Sequence, residues 1–342
     1  MLTEQQIKKL KYFVGIDVSK NELDFAVIRD REPIFHREIR NTPEAIDDLF
    51  KEMKNRFRFS RSNALFCLED TGIYGNLLLH ALSGKKALVV MENPLRIKKS
   101  LGLIREKSDR RDAFSIASFA QKNLYELKLW SPRRPLLESL RHLATLRDRL
   151  VRVSKILNMP IRENKAFIKG SLSKLAEQHC KTSNHAVKND IKKIAKMIRD
   201  DERLKRLNEV ITSVTGVGRF TALQIIISSN EHKDIVNAKK FARYAGVAPF
   251  KFESGLVVTK SRVSHIANKK MKLLPHLCAT RAIVFDHELR QYYLRKTVEE
   301  KKAKMLVLNA IRNKLILRIF SCLNEDRLYI IKSPKPENMT ST

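Results

Sequence analysis

From Leu136 onward an apolar residue recurs every third or fourth position: Leu136, Leu140, Leu143, Leu146, Leu150, Val153 and Leu157, with charged residues between them. The spacing follows the turn of an α-helix and lays one apolar stripe along a single face. Period-two alternation, the mark of a half-buried strand, is absent. A stripe of this length must be covered by a partner. Two partners are open: a second helix of the same chain in an antiparallel hairpin, or another copy in a dimerising coiled coil. The lysine-rich segment up to Asp201 also reads as helix, with a break near Gly170.

Ahead of this region the pattern is different. "YFVGIDVS" reads as a strand, Lys20-Asn21 as a turn, "ELDFAVIRD" as a second strand and "PIFHREI" as a third. Thr42 and Pro43 open a helix that runs to about Phe57, with proline at the first helical position. "ALFCLE" and "KALVVM" are short buried-strand runs, separated by the helix "YGNLLLHALS". "NPLRIKKSLG" and "SDRRDAFSIASFAQK" are helical. Three strands in hairpins followed by α-β-α-β-α predict a mixed sheet with helices on its faces, the order of a ribonuclease-H-like fold. The last third is mainly helical, with "GLVVTKSRV" as its strand pattern and "SPKPENMTST" as a disordered tail.

Charge narrows the partners. The 342 residues include 68 Lys plus Arg against 37 Asp plus Glu, a formal charge of +31. That excess points to a polyanion, nucleic acid before a membrane surface. No apolar run reaches the roughly 18 residues of a membrane span, and the N-terminal "MLTEQQIKKLKYFVGIDVSK" lacks the pattern of a signal peptide. Cys67, Cys180, Cys278 and Cys322 are far apart. Their spacing argues against a zinc site and a disulfide framework, and fits a reducing cytoplasm.

Within this basic chain, acidic residues stand at element ends. Asp17 ends the first strand and Glu69 ends "ALFCLE"; Asp109 and Asp112 open a helix with Ser108 as N-cap. Their i, i+3 spacing puts both aspartates on one helical face. Four converging carboxylates would need a cation among them, and an all-oxygen set selects Mg²⁺ or Mn²⁺. Two such ions roughly 4 Å apart can clamp the attacking and leaving oxygens of a phosphodiester. The alternative is that Asp109 and Asp112 cap the helix and pair with Arg105, Lys107, Arg110 and Arg111. Asp70, beside Glu69, is a competing ligand, but adjacent strand residues face opposite sides.

Two further motifs stand out. In "TSVTGVGRFTALQI", Gly216 and Gly218 lie between two apolar helical segments. They form either an ordinary helix–helix turn or a helix-hairpin-helix that lets the backbone approach a phosphate. Between Ser254 and Lys272 there are five basic residues, Lys260, Arg262, Lys269, Lys270 and Lys272, and no acidic one. Ser254-Gly255 reads as a loop turn; as a nucleophile, the serine would need its proton removed by a base or a metal.

Taken in order, "GIDVSK", "LEDTGIYG", "KSDRRDA", "SVTGVGRFTA" and "YAGVAPFKFESG" resemble the DEDD transposases of bacterial insertion sequence family 110, which include pilin-gene inverting recombinases. The similarity spans about residues 12–285. It implies a RuvC-like catalytic domain over 1–132, a helical or coiled-coil region over 133–205, a mainly α transposase domain with a helix-hairpin-helix over 206–330, and the tail over 331–342. It implies that Asp17, Glu69, Asp109 and Asp112 hold Mg²⁺ (or Mn²⁺) and that Ser254 attacks DNA to form a phosphoserine link. The implied partners are donor and target DNA, a structured bridge RNA and further copies of the chain, as dimer or tetramer. The implied place is the bacterial cytoplasm, at the nucleoid. Two departures from the family pattern are Ala267 in place of the glycine before Asn268, and Lys272 in place of an arginine. Two rival functions remain: a RuvC-like, structure-specific metal nuclease with Ser254 merely in a turn, and a noncatalytic nucleic-acid-binding protein.

Overall fold

The computed structural model describes residues 2–60, 62–70, 72–100, 108–163, 171–250, 253–254, 257–258, 262–263 and 267–331. Arg105, Lys107, Lys260, Gly170, Gly255 and residues 332–342 of the expected tail lie outside them. The chain forms two compact units, Met1–Pro132 and Arg133–Thr342.

The first unit opens with a short helix the periodicity did not announce, α1 (Glu4–Lys9), held by a capping box between Thr3 and Gln6. Its sheet comprises β1 (Tyr12–Val18), β2 (Glu22–Arg29), β3 (Glu32–Arg40), β4 (Ala64–Glu69) and β5 (Leu88–Glu92), in the order β3-β2-β1-β4-β5. β1, β2 and β3 pair antiparallel, whereas β1–β4 and β4–β5 are parallel. The helices are α2 (Pro43–Phe57), α3 (Asn76–Gly84), α4 (Pro94–Ser100) and α5 (Asp109–Lys122). The sheet is the mixed one expected, and both of its faces are covered. On one, Val14, Ile16, Leu23 and Phe25 pack with Ile46, Met53 and Leu78 of α2 and α3. On the other, Phe13, Ile28, Leu65 and Cys67 pack with Ile116, Ala117 and Phe119 of α5. Burial on both faces explains why "FVGI" and "ALFCL" are apolar runs rather than alternations.

The second unit begins with α6 (Pro135–Glu163) and α7 (Ser171–Arg199). They pack antiparallel: the Ser154 hydroxyl donates to Asn184 Oδ1 at 2.7 Å, and Leu137, Leu140, Ile194 and Ile198 share one core. The hairpin is therefore one partner of the leucine stripe. Its bearing differs from the expected one, since Leu137, Leu140 and Ala144 are buried whereas Leu146, Val153 and Leu157 are exposed. Spacings of three and four leave a face uncertain by about one position, because the helical repeat is 3.6. α8 (Glu202–Ser213), α9 (Arg219–Ser228) and α10 (Ala238–Tyr244) follow. Next come two short ladders, β6 (Pro249–Phe250) with β9 (Arg262–Val263) and β7 (Glu253–Ser254) with β8 (Val257–Val258). α11 (Lys269–Phe285), α12 (His287–Leu294), a π-helical turn at Arg295–Glu299 and α13 (Lys304–Asn324) complete the unit. Val307, Ile311, Leu315, Ile319 and Phe320 make α13 part of its core.

Candidate active site

Gly15 sets the geometry of the acidic residues. A Cβ at this position would lie 2.0 Å from the Ala113 carbonyl oxygen and 2.3 Å from the Ala117 nitrogen. Only glycine permits that contact, and it lets α5 rest directly on the backbone of β1. Two residues further along the same strand face stands Asp17. α5 begins at Ser108, whose side chain accepts from the Arg111 N–H at 3.3 Å. Asp109 and Asp112 occupy its first turn, as expected. The result is a cluster in which ligand oxygens of Asp17, Asp109 and Asp112 all lie within 4.8 Å of one another.

The electrostatics around Asp17 are those of clustered carboxylates. Burial pushes the Asp17 carboxyl above its ordinary pKa, followed by the charges of Asp112, Asp109 and Asp24; a hydrogen bond from the Val18 N–H, at 3.0 Å, works the other way. The charges that act on Asp17 are thus carboxylates. An all-oxygen donor set carrying this much negative charge fits a hard divalent ion.

Glu69 stands beside the cluster without belonging to it. Ile16 pairs with Leu68 in the parallel β1–β4 register, so Asp17 and Glu69 are next along the two strands and share the face that α5 covers. Among the described residues the three-carboxylate group does not include Glu69. Its register partner on β5 is Glu92, which Arg96 holds at 2.6 Å. Asp70 lies past the strand end, its N–H donating to the Glu92 carbonyl at 2.9 Å. Arg110 and Arg111 are exposed on the first turn of α5.

Sequence reasoning missed Asp24 and His36. Asp24 is the register partner of Asp17 on β2, and it is buried. His36 Nε2 lies 2.9 Å from Asp24 Oδ1, and its ring centroid is 6.1 Å from that of Phe114 on α5. The pair flanks the cluster on its β2–β3 side. Only strand register could have found it, since the two residues are twelve apart in the chain.

In the second unit, the two glycines of the α8–α9 turn differ. Gly216 has φ +89°, and a Cβ there would lie 2.7 Å from the Cys278 carbonyl oxygen and 2.9 Å from the backbone nitrogen of Ala282. Packing against α11 is therefore enough to require glycine at 216. Gly218 has open space at its Cβ and precedes α9 without a side-chain cap. Beside it, the Arg147 guanidinium lies 3.9 Å from the Phe220 ring centroid and Lys270 lies 5.2 Å from it. Lys270 also pairs with Asp148. Lys269 is exposed and Lys272 half-buried. Asn268 caps α11 by accepting from the Met271 N–H at 3.0 Å, and its amide donates to the Tyr244 hydroxyl at 2.9 Å. Ser254 pairs with Val257 in the β7–β8 ladder, and Arg262 pairs with Phe250 in the other.

Two family models match the chain. Residues 14–162 match the model of the DEDD transposases of IS110, described as a transposase, and residues 208–294 match that of the transposase IS116/IS110/IS902 family. The chain belongs to the IS110 family of transposases. It is a DNA transposase or recombinase. The family member is 22% identical over 321 residues to the pilin gene-inverting protein of Moraxella bovis, covering 93% of this chain and 97% of that one. It is 27% identical over 128 residues to an uncharacterised 43.6 kDa protein of insertion element IS110 from Streptomyces coelicolor, covering 37% of this chain and 31% of that one. A solved structure of Thermus thermophilus RuvC in complex with a Holliday junction substrate aligns with 35% of this transposase and 99% of that chain, at 16% identity and a TM-score of 0.27. Among the described residues no helix is long and apolar enough to cross a membrane.

Proposed function

We propose that this transposase cuts and rejoins DNA through Ser254, with a RuvC-like acidic site in its first unit and guidance from a structured RNA. The observation that carries the reading is the convergence of Asp17, Asp109 and Asp112 on one face of the sheet. These three, with Glu69 next along the neighbouring strand, would hold Mg²⁺ or Mn²⁺. When bound, such an ion supplies positive charge that stabilises the charge developing on a phosphodiester under attack. The chain's own part is to hold the carboxylates in place. Gly15 does so by seating α5, and Ser108 by fixing its first turn.

The Ser254 Oγ forms the new P–O bond as its proton departs. The deoxyribose oxygen leaves with the electrons of the old bond and takes up a proton. The phosphoserine link preserves the ester, so a second DNA end can displace it without ATP. The basic residues Arg105, Lys107, Arg110, Arg111, Lys260, Arg262, Lys269, Lys270 and Lys272 hold DNA and RNA backbones. The α8–α9 turn serves as the helix-hairpin-helix, with Gly218 as its open position. The Moraxella relative's name describes inversion of a gene; excision, insertion and inversion all follow from the same cut-and-rejoin step.

The test is a covalent adduct. Wild-type protein, incubated with guide RNA, DNA and Mg²⁺, should yield a protein–DNA species that survives denaturing electrophoresis. Ser254→Ala should abolish both adduct and cleavage, while Ser261→Ala and Ser264→Ala remain active. Cleavage by Ser254→Ala at the wild-type rate would favour the metal-nuclease reading.

A further inference from the structure

A cavity of about 550 Å³ opens in the second unit, lined by residues of α6, α7, α8 and α9. Its inner walls are apolar: Ile194, Ile198 and Leu223 line it and are buried. Phe220 lines it as well, with the Arg147 guanidinium 3.9 Å from the ring centroid. The charged lining is one-sided, with Arg147, Arg199, Lys205 and Arg219 against the carboxylate of Glu209. Arg199, Lys205 and Arg219 are exposed, so the charge sits toward solvent and the apolar surface inside. The Asn208 side chain also lines the cavity, and its Oδ1 is sealed off without a donor. A buried amide oxygen left unpaired is costly. Turning the amide end for end exchanges its oxygen and nitrogen, so a ligand N–H in the cavity can complete it.

The combination suits an aromatic heterocycle that carries a phosphate. Apolar walls and a guanidinium plane take the ring, an amide meets its polar edge, and cations at the mouth take the phosphate. A purely apolar ligand would have no use for the cations, and a lone phosphate no use for the walls. Position names the source. Arg219 is the first residue of α9 and follows Gly218, the open glycine of the α8–α9 turn. Asn208 and Glu209 lie on α8, and Phe220 and Leu223 on α9, so the cavity is built on the two helices that this turn joins. A strand whose backbone rested on the turn would pass Arg219 at the cavity mouth.

We propose that the cavity receives one unpaired base of the nucleic-acid strand held at the α8–α9 turn, with the phosphate of that nucleotide on Arg219. The proposal rests on the helix-hairpin-helix reading above and deepens it. The turn grips backbone whatever its pairing, whereas the cavity takes a base only when that base is free of its partner. The second unit thereby prefers single-stranded or looped nucleic acid to a closed duplex.

The experiment uses the full chain and two short fluorescein-labelled single strands of equal length, one intact and one built of abasic units, with binding read by anisotropy. The strands carry the same phosphates and differ only in their bases. Wild type should bind the intact strand about tenfold more tightly than the abasic one. Ile191 lines the cavity and is 46% exposed, so Ile191→Trp fills the cavity without entering the core. This variant should lose the tenfold preference, leave the affinity for the abasic strand unchanged and keep the wild-type slope of log K against log salt. Arg219→Gln should weaken both strands and reduce that slope by about one. Equal discrimination between the strands by wild type and Ile191→Trp would overturn the proposal. Asn208→Leu keeps the test decisive if the tryptophan variant does not fold. It removes the orphaned amide, so it should melt no lower than wild type and lose the same preference; a preference retained there also overturns the proposal. Adenosine monophosphate is the other probe. If it raises the melting temperature of wild type but not of Ile191→Trp, while both proteins discriminate the strands equally, the cavity takes a free nucleotide and the proposal fails. An altered oligomeric state of Ile191→Trp in light scattering, with the preference intact, would make the cavity a contact between copies and overturn it too. Salt-independent binding of the abasic strand by wild type would instead remove the backbone-binding reading of the turn.

Discussion

At the scale of single residues, the acidic cluster works against the stability of the fold. Asp17 has its pKa raised by burial and by Asp112, Asp109 and Asp24, so the folded state disfavours its ionisation more than the unfolded chain does. The penalty is absent below the unfolded value of about 4 and fully present above the raised folded value. In the presence of a chelator at neutral pH, Asp17→Asn should therefore melt at a higher temperature than wild type, and the difference should vanish in acid. The same variant should lose recombination. A melting temperature at or below wild type at pH 7 would show that the cluster is not strained by its charge. Gly15→Ala acts in the opposite way. A methyl group 2.0 Å from a helix carbonyl forces α5 off β1, which should cost about 1 to 3 kcal/mol in urea unfolding and lower activity well beyond that loss. Activity unchanged by Gly15→Ala would detach the seating of α5 from the site. Asp17, Asp109 and Asp112 were legible in the sequence as residues at element ends. The part played by Gly15 was not, because it depends on where a helix nearly a hundred residues later crosses the strand.

Among elements, those with a strong period were readable and those fixed by tertiary contact were not. The strands of the sheet, α2 with its proline start and the α6 stripe all follow local pattern. The Arg134 network does not. Its guanidinium holds both Asp201 oxygens, at 2.8 and 3.0 Å, and reaches Glu231 in the middle of the Asn230-Glu231-His232 run, where three successive residues have positive φ. Asp201 also caps α8, accepting from the Leu204 N–H at 2.9 Å. The hydrogen bond from Arg134 draws the Asp201 pKa down to about 2. A depressed carboxylate pKa contributes stability that is complete above about pH 4 and is lost as the pH falls through the folded value. Asp201→Asn keeps the cap but loses the charge, so it should be less stable by about 1 to 3 kcal/mol at neutral pH. Denaturant titrations of the two proteins should converge as the pH approaches 2. A constant gap across that range would mean that the pair contributes through shape rather than charge. No periodicity signals such a network, since its members come from α6, α8 and the loop after α9.

For the whole molecule, composition was the readable quantity: the +31 charge anticipates a polyanion partner before any element is assigned. The chain passes between its two compact units at a single point, after Pro132. Each unit has its own core, Phe25, Ile46 and Phe119 in the first, Phe241, Ile311 and Phe320 in the second. A lesion in one core should therefore leave the other folded, and limited proteolysis of Asp109→Ala and Ser254→Ala proteins should give the wild-type fragment pattern. In the language of heredity, the acidic carboxylates and the serine are then two separable traits written in one gene. An assembly in which the carboxylates of one copy serve the serine of another would place the two lesions in different complementation groups. A cell expressing Asp109→Ala and Ser254→Ala together should recover DNA rearrangement that neither allele supports alone, and a damaged insertion element could still be mobilised by a neighbour damaged in the other half.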